Sequence, residues 1–209
     1  DDILNDFEAQ FFTGRVSLAL GGLTYSTNFP GAGTQLNAGD NEIASDGFVL
    51  LLDYEMWVPK GVSPVFGAYV GGTSNDSVTD VAYPGSELYA AGWTESSEFP
   101  IVNNDTAALA AMRRDAFVQR FTASGELGYS CLLGAEDAGA TCLVLPQPGS
   151  GEAAIAGDTV IPRPQELGGG TNVFPTTPTA FQRTPVQGSP QDGFFGVVNT
   201  SLSTGPVAY

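Results

Sequence analysis

Histidine is missing altogether, and lysine and arginine together number only seven. Without histidine, a Ser-His-Asp triad, a Cys-His dyad and any histidine-ligated zinc or haem are excluded within this chain. Against those few cations stand 23 acidic residues, for a net charge of −16. Neutralising phosphates takes Lys and Arg, so nucleic-acid binding is not expected. Attraction to an anionic membrane surface is disfavoured for the same reason. No run of about 18 apolar residues occurs, so membrane insertion through a helix is not expected either. A basic-then-apolar leader is also lacking, and the start at Asp1-Asp2 reads as a mature or excised segment. The two cysteines, Cys131 and Cys142, are too few for a thiolate cluster. One disulfide between them closes a loop of about a dozen residues, worth roughly 3 kcal/mol in the chain-entropy model. Two free thiols are the alternative.

What is abundant points to strands. Hydrophobic residues make up 42% of the chain, and mean hydropathy is +0.03, enough for a packed core. The 27 glycines and 14 prolines, set among aromatic and β-branched residues, suggest short strands joined by tight turns. Two anchors also recur in register. Thr24 to Pro30 (TYSTNFP) returns as Thr94 to Pro100 (TESSEFP) and, more loosely, as Gly170 to Pro175 (GTNVFP). Each copy is followed at similar distance by Asp-small-Phe: Asp46-Gly47-Phe48, Asp115-Ala116-Phe117 and Asp192-Gly193-Phe194. A repeat of this period decides the fold before any other argument. It says less about activity, because repeat architectures serve many purposes.

Short apolar runs between Gly, Pro, Asn, Asp and Ser clusters read as antiparallel strands, four per unit. In the middle unit the strands are predicted at about Val78 to Tyr83, Glu87 to Trp93, Ala116 to Thr122 and Leu127 to Leu133. The last two are joined by Ala123-Ser124-Gly125-Glu126, with Gly125 placed for positive φ. The units divide as 1–73, 74–137 and 138–209, and the one helical turn expected is Thr106 to Arg113. A four-stranded sheet with two apolar faces cannot bury both alone, whereas stacked sheets can. The fold expected is therefore all-β, with three four-stranded antiparallel blades of a β-propeller-like domain, part of a larger or oligomeric ring. Gly71-Gly72 and Gly134 are expected to ease the crossing between blades. The same geometry holds Cys131, on a fourth strand, away from Cys142 on the next first strand, which favours free thiols.

The middle unit carries Asp80-Val81-Ala82, Leu88 to Gly92 (LYAAG), Thr94 to Pro100, Asp115-Ala116-Phe117-Val118 and Tyr129 to Gly134. The third carries Phe174 to Gln182 (FPTTPTAFQ), and the first carries Phe29-Pro30, Asp46 to Val49 and Tyr69 to Gly72. These segments resemble the bacterial β-propeller repeat family often labelled SBBP, over nearly the whole chain. The resemblance implies the propeller fold and a secreted or cell-surface setting, in a family of mostly unassigned function. Three blades are fewer than the four to eight that close a propeller. The expectation is that the chain belongs to a longer one or that its ring closes with other copies.

Candidate sites are few. Asn75, Asp76 and Asp80 lie in an inter-blade lead-in, as do Asp2, Asn5 and Asp6 in the first unit. Oxygen ligands there suit Ca²⁺, the one candidate ligand ion, although the spacing matches no EF-hand; the other reading is turn-forming and capping. Trp57 and Trp93 are candidate platforms for stacking glycans, with core or rim packing as the alternative. Asp46, Asp115 and Asp192 are read as fixing turns, and Phe29, Phe99 and Phe174 as plugs between blades. Asp53 with Glu55, or Glu95 with Glu98, are the acid pairs available for glycoside hydrolysis, but a chain this acidic yields such pairs anyway. Three glycosylation sequons, at Asn75, Asn104 and Asn199, are about what chance provides.

No catalytic residue and no cofactor is therefore expected. The leading reading is a non-catalytic, extracellular structural or protein-interaction module, assembling with other copies or other subunits through exposed blade edges. The alternative is a fragment of a secreted enzyme or glycan-binding protein whose site lies on the propeller's axial face. In either case the terminal strands, near Asp2 to Phe12 and Pro206 to Tyr209, are expected to be covered by another chain or by a continuation of this one.

Overall fold

A computed structural model describes residues 2–29, 32–34, 44–59, 61–102, 113–133, 137–160 and 191–201. Among these residues the structure is all-β, with no helix. The first sheet joins β1 (Asp2–Phe12), β2 (Arg15–Thr24), β4 (Asp46–Glu55) and β5 (Val62–Val70) in antiparallel order, with β3 (Ala32–Thr34) beside β5. The second is a meander of β6 (Asp76–Ala82), β7 (Leu88–Thr94), β8 (Asp115–Phe121) and β9 (Leu127–Leu133). The third runs through β10 (Ala138–Val144), β11 (Glu152–Val160) and β12 (Gln191–Asn199).

Two expectations need amending. The first sheet has a fifth strand, β3, which runs parallel to β5 and pairs Ala32 with Gly67. Ala32-Gly33-Thr34 carries no alternation that would mark it as a strand. Its counterpart is an isolated bridge from Val102 to Ser130, so in both sheets the chain just after Phe-Pro reaches the fourth strand. Secondly, β6 begins at Asp76, two residues before the expected Val78, so Asp76 as well as Asp80 lies in the strand rather than in a lead-in loop. Asp2, Asn5 and Asp6 likewise lie within β1. Among the described residues the third sheet shows three strands. The fourth strand expected at Pro206 to Tyr209, the helical turn from Thr106, Gly134 and the Phe174-Pro175 anchor lie outside the described residues.

The middle sheet is covered on both faces, which explains why its strands are apolar on both. Phe117 and Phe121 of β8, with Leu88, Ala90 and Leu132, pack against Ala19, Leu51, Phe66 and Val70 of the first sheet. Ala116 and Val118 of the same strand, with Tyr89, Tyr129 and Cys131, pack against Ala140, Leu143, Ile155 and Val198 of the third. Successive side chains of a strand point to opposite faces, so one apolar run serves two cores.

The two repeated anchors meet in space. The Phe29 ring lies 4.2 Å from that of Phe48, and Phe99 lies 4.9 Å from Phe117. Beneath each second-anchor Phe sits a glycine of the second strand: Gly22 opposite Phe48, Gly92 opposite Phe117, and Gly157 opposite Phe194. A Cβ at any of the three would stand 2.0 Å from a first-strand carbonyl oxygen (Ile3, Ser77 or Gly139) and 2.8–2.9 Å from the ring. The residue there must have no side chain. At the connection between the first two sheets, a Cβ at Gly71 would stand 2.5 Å from Asp76 Oδ2. Gly125 turns the β8–β9 hairpin at φ 84°, as expected.

Candidate functional site

The first strands of the three sheets share one irregularity. Each carries a β-bulge, at Asn5 in β1, Thr79 in β6 and Thr141 in β10. A bulge leaves one residue outside the ladder and re-aims its side chain. Here that side chain reaches the next sheet. Asn5 Nδ2 donates to the Val78 carbonyl at 2.7 Å, and Thr79 Oγ1 donates to the Ala140 carbonyl at 2.6 Å. The residue after the bulge completes the contact in reverse. Asp6 Oδ2 accepts from the Val81 N–H at 3.1 Å, and Asp80 Oδ2 accepts from the Leu143 N–H at 2.6 Å. Val78 and Ala140 each precede a bulge by one residue, and Val81 and Leu143 each follow one by two. Two sequence-distant contacts are therefore the same contact repeated.

Burial pushes the Asp80 carboxyl up to about 7, helped by the neighbouring Asp6 carboxyl and opposed by the Leu143 N–H. The rise reflects the cost of placing a charge in this interface beside a second carboxyl. Glu8 of β1 adds a further acceptor for the Tyr83 N–H.

A second device ties the start of the first strand to the Thr-x-Ser of the anchor. Asp2 accepts from Thr24 Oγ1 and from Ser26 Oγ, the latter at 2.9 Å. In the second sheet Asp76 Oδ2 accepts from Ser96 Oγ at 2.7 Å and from the Gly72 N–H at 2.9 Å. Thr24 and Thr94 in turn accept the N–H of the Ser two residues on. Asp76 is fully buried, and burial raises its carboxyl to about 6 despite Thr94, Ser96 and Gly72 pulling the other way.

Asn75 is spent at both ends: Oδ1 accepts from the Ser45 N–H at 3.2 Å, and Nδ2 donates to Glu95 at 3.0 Å. Asn75, Asp76 and Asp80, named together as calcium ligands, thus serve three different neighbours. Among the described residues no group of three or more Asp, Glu, Cys or His stands where it could hold a metal ion. Trp57 and Trp93 are not brought together. Trp57, in the turn after β4, is 84% exposed and lies against Gly14 of the neighbouring turn. Trp93, on β7, has the Arg114 guanidinium over its ring at 5.7 Å.

Asp46, Asp115 and Asp192 occupy one register, opposite Thr24, Thr94 and Thr159 of the second strands. Burial and the nearby Asp137 charge raise Asp115 to about 6. The proposed acid pairs are divided among other partners. Asp53 accepts from Arg15 at 3.0 Å and Ser17 at 2.6 Å, Glu95 from Asn75, and Glu98 from Thr73 at 2.7 Å. Cys131 on β9 and Cys142 on β10 are both free thiols; burial pushes the former up to about 11, and the latter is exposed. In the sequence Asn5, Asp6 and Asp80 read as ligands or caps, and neither Thr79 nor Thr141 stands out. The available signal was the recurrence of Asn5-Asp6 as Thr79-Asp80 at the same offset from Asp2 and Asp76. No family model matches this chain, and no curated protein matches it either.

Proposed function

We propose that the chain is a non-catalytic structural or protein-interaction module, extracellular or at a cell surface, whose three sheets are blades of a β-propeller-type stack. The observation that carries the reading is the bulge contact repeated between successive first strands, which joins the second sheet to the first and the third to the second through equivalent residues. First strands adjacent to one another, with the later strands of each sheet leading away, are what blades around an axis require. The resemblance of the middle unit to the SBBP repeats supports the same architecture. The acids support a structural role: Asp6, Asp76 and Asp80 are engaged in hydrogen bonds between or within sheets. The module needs no cofactor and no catalytic residue.

A second reading, a glycan-binding or enzymatic fragment of a larger secreted protein, draws on the open ring of Trp57. A low-resolution image of the native particle tests the first reading. Blades arrayed about an axis support it, and a closed sandwich or barrel overturns it. Glycan-array binding that disappears in Trp57→Ala would move the assignment to the second.

A further inference from the structure

We propose that the chain docks on a second copy of itself head to tail, repeating across molecules the contact that joins its own sheets. This rests on the stacked-blade reading and names the surface and partner. Each interface inside the chain has an outgoing face and an incoming face. On the outgoing side stand the bulge residue, the residue after it, and a small residue opposite: Asn5, Asp6 and Gly21 in the first sheet, Thr79, Asp80 and Ala91 in the second. On the incoming side, the residues one before and two after the next bulge settle over that small residue. A Cβ at Gly21 would stand 2.6 Å from Val78 Cγ1 and 2.5 Å from Val81 Cγ1.

The third sheet carries the outgoing set, and among the described residues nothing is bonded onto it from another sheet. Thr141 and Cys142 are exposed, and Ala156 stands opposite Cys142. Thr141 Oγ1 contacts the Ala156 carbonyl of its own sheet at 3.3 Å, as Thr79 Oγ1 contacts that of Ala91 at 3.1 Å while it also donates to Ala140. Around them Val144 and Phe195 are exposed. The first sheet carries the incoming set. Leu4 and Phe7, one before and two after its bulge, are 50% and 61% exposed. Their equivalents Val78, Val81, Ala140 and Leu143 are at most 5% exposed. Half-buried beside them on that face are Leu18, Leu20 and Leu52, whose equivalents in the middle sheet, Leu88, Ala90 and Phe121, lie in the core between the first two sheets. One chain thus holds both halves of a contact it already makes twice, and continuity with those two interfaces identifies the occupant. In the docked pair Leu4 and Phe7 of one copy cover Ala156 of the other, Thr141 faces the Leu4 carbonyl, and Cys142 takes the place of the interface aspartate. Because the faces differ, the contact is heterologous and closes a ring or extends a filament.

The test uses light scattering on the 209-residue chain and on two surface variants, Phe7→Asp and Ala156→Asp, each checked for native circular dichroism. The expected result is a multimer for the native chain, a monomer for either variant alone, and a one-to-one dimer when the two variants are mixed. Maleimide labelling of Cys142 should slow about tenfold or more from dilute to concentrated native chain, by mass action. A native multimer unaffected by both variants overturns this geometry while leaving the module reading in place. A native monomer overturns the docking whether Cys142 labels freely or is shielded by a segment of the same chain. The module reading falls only if the imaged particle lacks stacked blades.

Discussion

Phe99 stacks on Phe117 at 4.9 Å between ring centroids, with both rings buried. One comes from the Phe-Pro anchor and the other from the Asp-Ala-Phe anchor, so the two sequence repeats are two halves of a single contact. Phe99→Ala is expected to destabilise the chain by about 3–5 kcal/mol, the usual cost of emptying a buried phenylalanine site. Phe29→Ala, at the half-buried equivalent, should cost clearly less. Urea denaturation of both variants checks the order; equal losses would mean the rings do not act as plugs.

Gly92→Ala should be far more damaging than its one added carbon implies. The Cβ would stand 2.0 Å from the Ser77 carbonyl oxygen, and backbone on that side cannot yield without breaking the β6–β7 ladder. Gly139→Ala is the control, since its Cβ meets nothing closer than 3.7 Å. That substitution should be neutral, or stabilising by about 0.4–1 kcal/mol through the unfolded chain. Soluble expression and thermal midpoints of the two variants decide the matter.

The buried acids give an inverted pH dependence over a defined window. Asp76, Asp80 and Asp115 have folded-state values raised from 3.8 to about 6, 7 and 6. Between pH 4 and 7 the folded chain holds protons that the unfolded chain has released. Their contribution to stability is therefore complete below the unfolded value and is lost as pH rises through the folded values. The thermal midpoint should be higher at pH 5 than at pH 8. Asp80→Asn should flatten part of that difference by raising the midpoint at pH 8. Its amide can donate to Asp6 while its oxygen still accepts from Leu143. A midpoint that climbs steadily from pH 5 to 8 would contradict the assignment.

The strands were legible because each is announced locally. Leu127–Leu133 is an apolar run bounded by turn residues, and the structure has a strand over those residues. The pairing of Asp46 with Thr24 and Asp115 with Thr94 follows from anchors readable in one dimension. The bulges were barely legible, because a bulge at Thr79 leaves no trace in composition and only the faint recurrence of Asn5-Asp6 as Thr79-Asp80 in sequence. Its partner, Ala140, lies 61 residues away on another sheet. The partner of Asp80 was not legible for the same reason: nothing in the sequence tells a carboxylate that accepts a backbone N–H 63 residues distant from one that caps a turn or binds an ion. The short β3 escaped because pairing with β5, rather than local propensity, makes it a strand.

The sense of the bulge contacts makes the two ends of the chain unequal in what their loss would leave behind. If the third sheet peels away, Thr79 and Asp80 are returned to water as side chains, which solvent satisfies readily. If the first sheet peels away, the amides of Val81 and Tyr83 and the carbonyl of Val78 lose their partners on a bared strand edge. Such an edge is a template for foreign strands. Fraying from the carboxyl-terminal side is therefore the benign direction, and opening from the amino-terminal side is the one that invites aggregation.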